Sequence, residues 1–374
     1  MKPTFKKLSR SLYYVLCFSI LVISCQKTIQ TSDVKSEASI AGKDPKALKD
    51  FTQVNLVANN DEYNATHIVA DLQNAWGIVF PTSGPAWVNA EVTGKSYLFN
   101  GDGSPAGLPF VNIPGAGSST VGHPTGIAFN SSSDFKLPNG NAARFIFAGD
   151  DGVISGWNGG TTAIKKIDDS PEGAAYFGVA IANDAGNNFL YVANFAEGSI
   201  DVYDKNWVEV HNKLFMDPNL PGSYSPFNIQ TIDNKLYVMY AKVGPDGDEI
   251  HHPGFGIVDV FNPDGTLMKR FVTNGQLNSP WGIAKAPAGF WGSDSEMGGD
   301  VYLVGNFGDG HINAFNSNGD FLGQLRQSGE PIEIEGLWGI AFAPSTSTSI
   351  DHNRLYFAAG PDDEEHGLFG YISK

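Results

Sequence analysis

Residues 177–204, FGVAIANDAGNNFLYVANFAEGSIDVYD, hold the pattern that decides the fold. Three strand-like segments, Gly178–Ala182, Phe189–Asn194 and Ser199–Asp204, are separated by the turn sequences at 183–188 and 196–198. Those turns are rich in Asn, Asp and Gly, which accept the tight backbone geometry of hairpin connections. Leu190-Tyr191-Val192-Ala193 is a continuous apolar run, as expected of a strand covered on both faces. The following segment intersperses Ile200, Val202 and Tyr203 with Asp201 and Asp204, the alternation of a half-exposed strand. Trp207–Leu214 reads as a fourth strand.

The head of this unit recurs along the chain. It reads WGIVF at 76–80, TGIAF at 125–129, FGVAI at 177–181, FNIQT at 227–231, WGIAK at 281–285 and WGIAF at 338–342. A period of roughly fifty residues marks a repeat architecture of stacked supersecondary modules. The rear of the unit recurs too, as VYLVGNFGDGHINAFN at 301–316 and, more weakly, FIFAGDDGVISGWN at 145–158. Four antiparallel strands repeated six times give an all-β fold, a six-bladed β-propeller. Gly near the head of the first strand suits crowding of inner strands at the axis. The sixth unit ends one strand short, at Gly367–Ile372, whereas Phe51–Val57 alternates ahead of the first repeat. The ring is therefore expected to close by placing the N-terminal strand outermost in blade six, which leaves no free edge there.

Residues 1–25 read as a signal segment, with basic Lys6, Lys7 and Arg10 before the apolar run Leu12–Ile23. The sequence LVISC at 21–25 matches a lipoprotein signal, with lipid on the sulfur of Cys25. The only other cysteine, Cys17, leaves with the signal, so disulfides and thiol chemistry are excluded. Residues 26–50 are polar and aperiodic and read as a flexible tether, leaving 51–374 as the propeller. The first fifty residues carry nine basic and four acidic side chains; 51–374 carry fifteen and thirty-six, a net of −21. Such a domain repels phosphate backbones and anionic lipid. Nucleic acid is excluded as a partner, the membrane is met only through the lipid, and the chain is expected to be a monomer in the cell envelope.

The motifs NAWGIVF at 74–80, VGNFGDGHINAF at 304–315 and AAGPDDEEHGLFGYI at 358–372 resemble the six-bladed propellers of the NHL-repeat and gluconolactonase-like superfamily. They resemble more closely an uncharacterised bacterial family of secreted and lipid-anchored propellers. The likeness spans nearly all of 51–374 and implies a fold without implying a reaction, because this fold hosts lactonases, lyases, oxidoreductases and binding proteins.

Propeller topology gathers two rings of residues at one rim of the channel. Ahead of the inner strands stand Trp76, His123, Tyr176, Pro226, Trp281 and Trp338. The turns between second and third strands hold Asp150, Asp151, Asn194, Glu197, His251, His252, Asn306, Asp309 and the run Asp362–His366. Asp151, Glu197 and Asp309 each precede a Gly, which is read either as turn chemistry or as oxygen ligands for Ca²⁺ or another divalent cation. Asn194 and Asn306 would complete that metal set with Glu197 and Asp309, as in similar propeller lactonases. Two acidic-then-His loops, Gly244–His252 and Gly360–Gly367, are placed to face each other from blades four and six. They nominate His252 and His366 for proton transfer and Asp363 and Glu365 for ligand binding. Trp76, Trp281 and Trp338 either pack as core or stack on a ligand. The leading expectation is an extracytoplasmic, lipid-anchored propeller that binds a small molecule or protein partner at the channel rim. The alternative is a metal-dependent, lactonase-like hydrolase or lyase acting at the same mouth.

Overall fold

The computed structural model describes residues 46–292 and 297–374; the signal segment, Cys25 and the tether up to residue 45 lie outside them. Six antiparallel sheets surround one axis. Their inner strands are Ala75–Val79, Pro124–Phe129, Tyr176–Asp184, Tyr224–Ile232, Pro280–Lys285 and Leu337–Phe342. Each inner strand touches the next, and the sixth returns to the first, so the sheets are blades of a closed six-bladed propeller.

Closure follows the sequence reading. Thr52–Ala58 lies antiparallel to Leu368–Ser373, in register from Thr52 opposite Ser373 to Ala58 opposite Leu368, with a bulge between Asn55 and Val57. His67–Ile68 adds a short parallel edge outside it. The last residues of the segment read as a tether belong to the fold. Lys46–Leu48 forms a turn of 3₁₀ helix with Ala47 and Leu48 buried, because this apolar pair joins Phe51, Phe290 and Trp291 in the core between blades five and six.

Blade three differs from the reading in its outer strand. Among the described residues it has three strands, and the segment after Asp204 contributes only a bridge between Tyr203 and Glu209. The carboxylate of Asp204 accepts from the N–H groups of Asn206 and Val208 at 2.8 and 3.0 Å. Trp207 is thereby held at φ 69°, and its indole donates to the Lys136 carbonyl of blade two at 2.9 Å. A left-handed Trp diverts the chain from extended pairing.

Each neighbouring pair of blades shares one apolar cluster, and a seventh cluster fills the axis. Inner strands approach so closely that Gly is required. A Cβ on Gly126 would stand 2.8 Å from the Gly178 Cα, and one on Gly178 would stand 2.0 Å from Asn228 Oδ1. Blade four carries Asn228 at the Gly position and uses its amide to donate to the Trp281 carbonyl at 2.7 Å.

The axial cluster closes the channel. Trp338 is sandwiched between Trp76, at 3.7 Å between ring centroids, and Phe307, at 3.8 Å. Trp281 meets both tryptophans edge-on at 6.5 and 6.0 Å. Phe177, Phe195 and Phe227 complete the plug. Trp338 is covered on both faces, and Trp76 and Trp281 are buried beside it, so of the two roles considered for these tryptophans the packing role along the axis fits.

Candidate functional site

The plug has a register that locates the site. The residue before the inner-strand Gly, or before Asn228, reads Trp76, Thr125, Phe177, Phe227, Trp281 and Trp338 around the ring. The residue after the second strand reads Glu91, Asp150, Phe195, Val243, Phe307 and Gly360. Blades three to five therefore send Phe or Val toward the axis, whereas blades one and two send carboxylates. Blade two also lacks an aromatic at the strand head, where Thr125 donates to the carbonyl of Ala148 at 3.1 Å and to that of Tyr176. Above this gap in the aromatic packing, Glu91, His123 and Asp150 converge, with one donor atom of each within 4.8 Å of the others.

Asn74 links this group to blade six. Its amide nitrogen donates to Glu91 Oε2 at 3.1 Å and to Glu364 Oε2 at 2.7 Å, while its Oδ1 accepts from the Trp338 indole at 2.9 Å. His123 Nδ1 lies 2.5 Å from Glu91 Oε1, and this hydrogen bond raises the imidazole to about 9. Burial, reinforced by the negative charge of Glu91, holds the Asp150 carboxyl up near 7. Burial, with Glu249 opposite, does the same for Glu364, again to about 7. Three acid–base groups displaced from their ordinary range at one mouth are a signature of a functional site.

Beside the cluster, the loops of blades four, five and six enclose a cavity of about 330 Å³. It is walled by Glu249, His251, Phe307, Asp309, Asp363 and Glu364, together with Glu333 and Glu335. The two acidic-then-His loops do meet here, as their sequences suggested, although through neighbouring side chains. His251, not His252, faces in, with Nε2 3.2 Å from Glu249 and its ring edge-on to Phe307 at 5.0 Å. His252 turns outward onto Phe255, its Nδ1 2.7 Å from the Pro253 carbonyl. His366 packs edge-on to Tyr63 at 5.9 Å and contacts Asn59 at 3.1 Å, so it braces the closing strand segment. Neither His252 nor His366 lines the cavity, so neither is placed for the proton transfer expected of it there. Asp363 lines the cavity, whereas Glu365 is exposed outside its lining.

The expected metal set divides into two separate turns. Asn194 Oδ1 accepts from the N–H of Ala175 at 3.2 Å and of Glu197 at 3.3 Å, and its amide donates to Asp201 at 2.9 Å. Asn306 donates to the Gln276 carbonyl at 2.8 Å and to Asp309 at 3.0 Å. Each Asn thus braces its own hairpin. Glu197 is exposed, and of the four residues Asp309 alone lines the cavity. Burial pushes the Asp309 carboxyl up, but hydrogen bonds from His311 and Asn306 outweigh it and hold the group below its usual range.

No protein-family model matches the chain. Among solved structures, a protein of unknown function from Bacteroides thetaiotaomicron shares 10% identity with a TM-score of 0.52, covering 87% of this chain and 77% of that one. Virginiamycin B lyase from Staphylococcus aureus shares 15% identity with a TM-score of 0.48, covering 87% and 99%. Identities this low speak to fold alone. Uncharacterized protein L690 of Acanthamoeba polyphaga mimivirus is 33% identical over 337 residues, 86% of each chain. That relative is viral and gives no support to narrowing the resemblance to a bacterial family. Its identity and coverage place the chain in one family with mimivirus protein L690.

Proposed function

We propose that this propeller binds a small molecule in the cavity at the acidic mouth and transforms it by proton transfer, as a hydrolase or lyase. The observation that carries this reading is the cavity itself, where loops from three blades bring Glu364, Glu249 and His251 around a space of about 330 Å³ floored by Phe307. A carboxyl near 7 can both hold and release a proton at neutral pH, which suits a general acid or base. Glu249 orients His251, and Phe307, largely buried but lining the cavity, offers an apolar patch for a ring or chain. The lining contains no Lys or Arg, which disfavours phosphorylated and carboxylated substrates and favours neutral or cationic ones. We also propose that the domain is carried to the cell envelope by lipid on Cys25, a reading supported by the sequence at 1–25.

The test is a screen of the purified chain against neutral lactones, esters and glycosides, followed by Glu364→Gln. The variant is expected to lower kcat by roughly 10²–10⁴-fold, the usual worth of a general acid or base, with KM within a few-fold of wild type. Turnover that persists unchanged in Glu364→Gln would remove the proton-transfer role.

A further inference from the structure

We infer that Glu91, His123 and Asp150 form a binding site for a first-row divalent transition metal, such as Zn²⁺ or Mn²⁺. The inference is separate from the cavity reading, because it concerns the neighbouring blades one and two.

The first argument is positional. The post-strand position that supplies Phe195, Val243 and Phe307 to the axial packing supplies Glu91 and Asp150 in the two adjacent blades. Placing carboxylates where three other blades place apolar groups costs desolvation free energy, unless something cationic recovers it. Among the described residues, the one cationic side chain bonded to this cluster is His123. Two carboxyl groups thus share one imidazole, and a third, that of Glu364, joins them through Asn74.

The second argument is the donor set. One ligand atom from each residue already lies within 4.8 Å of the other two. Donors on a tetrahedral ion with bonds of about 2.1 Å stand roughly 3.4 Å apart, so side-chain rotations alone would admit an ion. The direct contact of 2.5 Å between His123 and Glu91 must open by about 1 Å to let it in. One nitrogen and two carboxylate groups suit borderline cations, whereas Ca²⁺ seeks six to eight oxygens. The site also has the openness of a reactive centre. The Glu91 side chain is 10% exposed and that of His123 46%, so solvent reaches the ion from the His123 side and positions remain for water or ligand.

The alternative is a plain His–Glu ion pair, and the two are separable by experiment. The full chain is stripped with chelator and dialysed against micromolar Zn²⁺ or Mn²⁺, and bound metal is measured by mass spectrometry beside thermal unfolding. One ion per chain and a rise in Tm are expected. His123→Ala and Asp150→Asn should each weaken uptake by more than about 100-fold, exceeding what loss of a supporting outer residue costs. Glu91→Gln guards against misfolding of either variant, with circular dichroism as the check. Bound Mn²⁺ should show nitrogen coupling by pulsed electron paramagnetic resonance that disappears in His123→Ala. No uptake, uptake unaffected by these substitutions, or uptake of Ca²⁺ alone would overturn the site. Glu364→Gln should retain the metal, so failure here and failure of the cavity reading give different patterns.

Discussion

Glu364 sits at the end of an unusual stretch of backbone. Asp362, Asp363 and Glu364 have φ of 58°, 50° and 68°, a left-handed turn closed by N–H bonds from Glu365 to the Asp362 carbonyl and from His366 to that of Pro361, both 3.1 Å. Left-handed non-glycine residues cost roughly 1–2 kcal/mol each, and such strain persists where surrounding contacts enforce it. Here the enforcing contact is Asn74, which receives the carboxylate. The titration of Glu364 has a definite sign. Its folded-state value, about 7, lies above the ordinary 4.5, so its contribution to stability is greatest at low pH and is lost as pH rises through about 7. Glu364→Gln should accordingly gain in Tm relative to wild type between pH 5 and 8; parallel Tm curves would contradict the shift. Little of this was legible beforehand. An acidic run names no member as the inward one, because which carboxylate turns inward depends on left-handed φ values absent from composition. His251 and His252 posed the same difficulty. Glu91 was within reach, however, had the residue following each second strand been aligned across all six blades.

At the level of strands, the repeat carried nearly everything. The missing outer strand of the last unit pointed to Phe51–Val57, and the strand Thr52–Ala58 pairs with Leu368–Ser373, with one bulge between Asn55 and Val57. Alternation and the missing partner sufficed, because register is fixed wherever one face of a strand is buried. The fourth strand of blade three failed for a local reason, the Asp204 turn and the captured Trp207, whose partner lies in another blade. No period in the sequence reports such a contact. Deleting residues 51–57 should lower Tm by roughly 10 °C or more, since it removes several kcal/mol of packing from blade six. It should also promote self-association, because the edge of Leu368–Ser373 is exposed. Size-exclusion chromatography beside thermal unfolding checks both; an unchanged elution volume and Tm would mean that closure is held elsewhere.

The ring as a whole is strongly acidic, with a net charge of −21 over residues 51–374. If lipid on Cys25 holds it at a membrane, Cys25→Ser should abolish fatty-acid labelling and release soluble domain; labelling that survives would dismiss the anchor. The two mouths of the axis are unlike. One carries the carboxylates described above, and the opposite one is a hollow of about 420 Å³ walled by Phe80, Phe129, Ile181 and Phe342. Between them stands the stack of Trp76, Trp338 and Phe307. That stack makes the acidic end a blind vestibule along the axis. If that end is the site proposed above, whatever enters must depart by the route it came, a spent molecule and its successor compete for one threshold, and nothing delivered to the opposite hollow reaches it by passing through the stack.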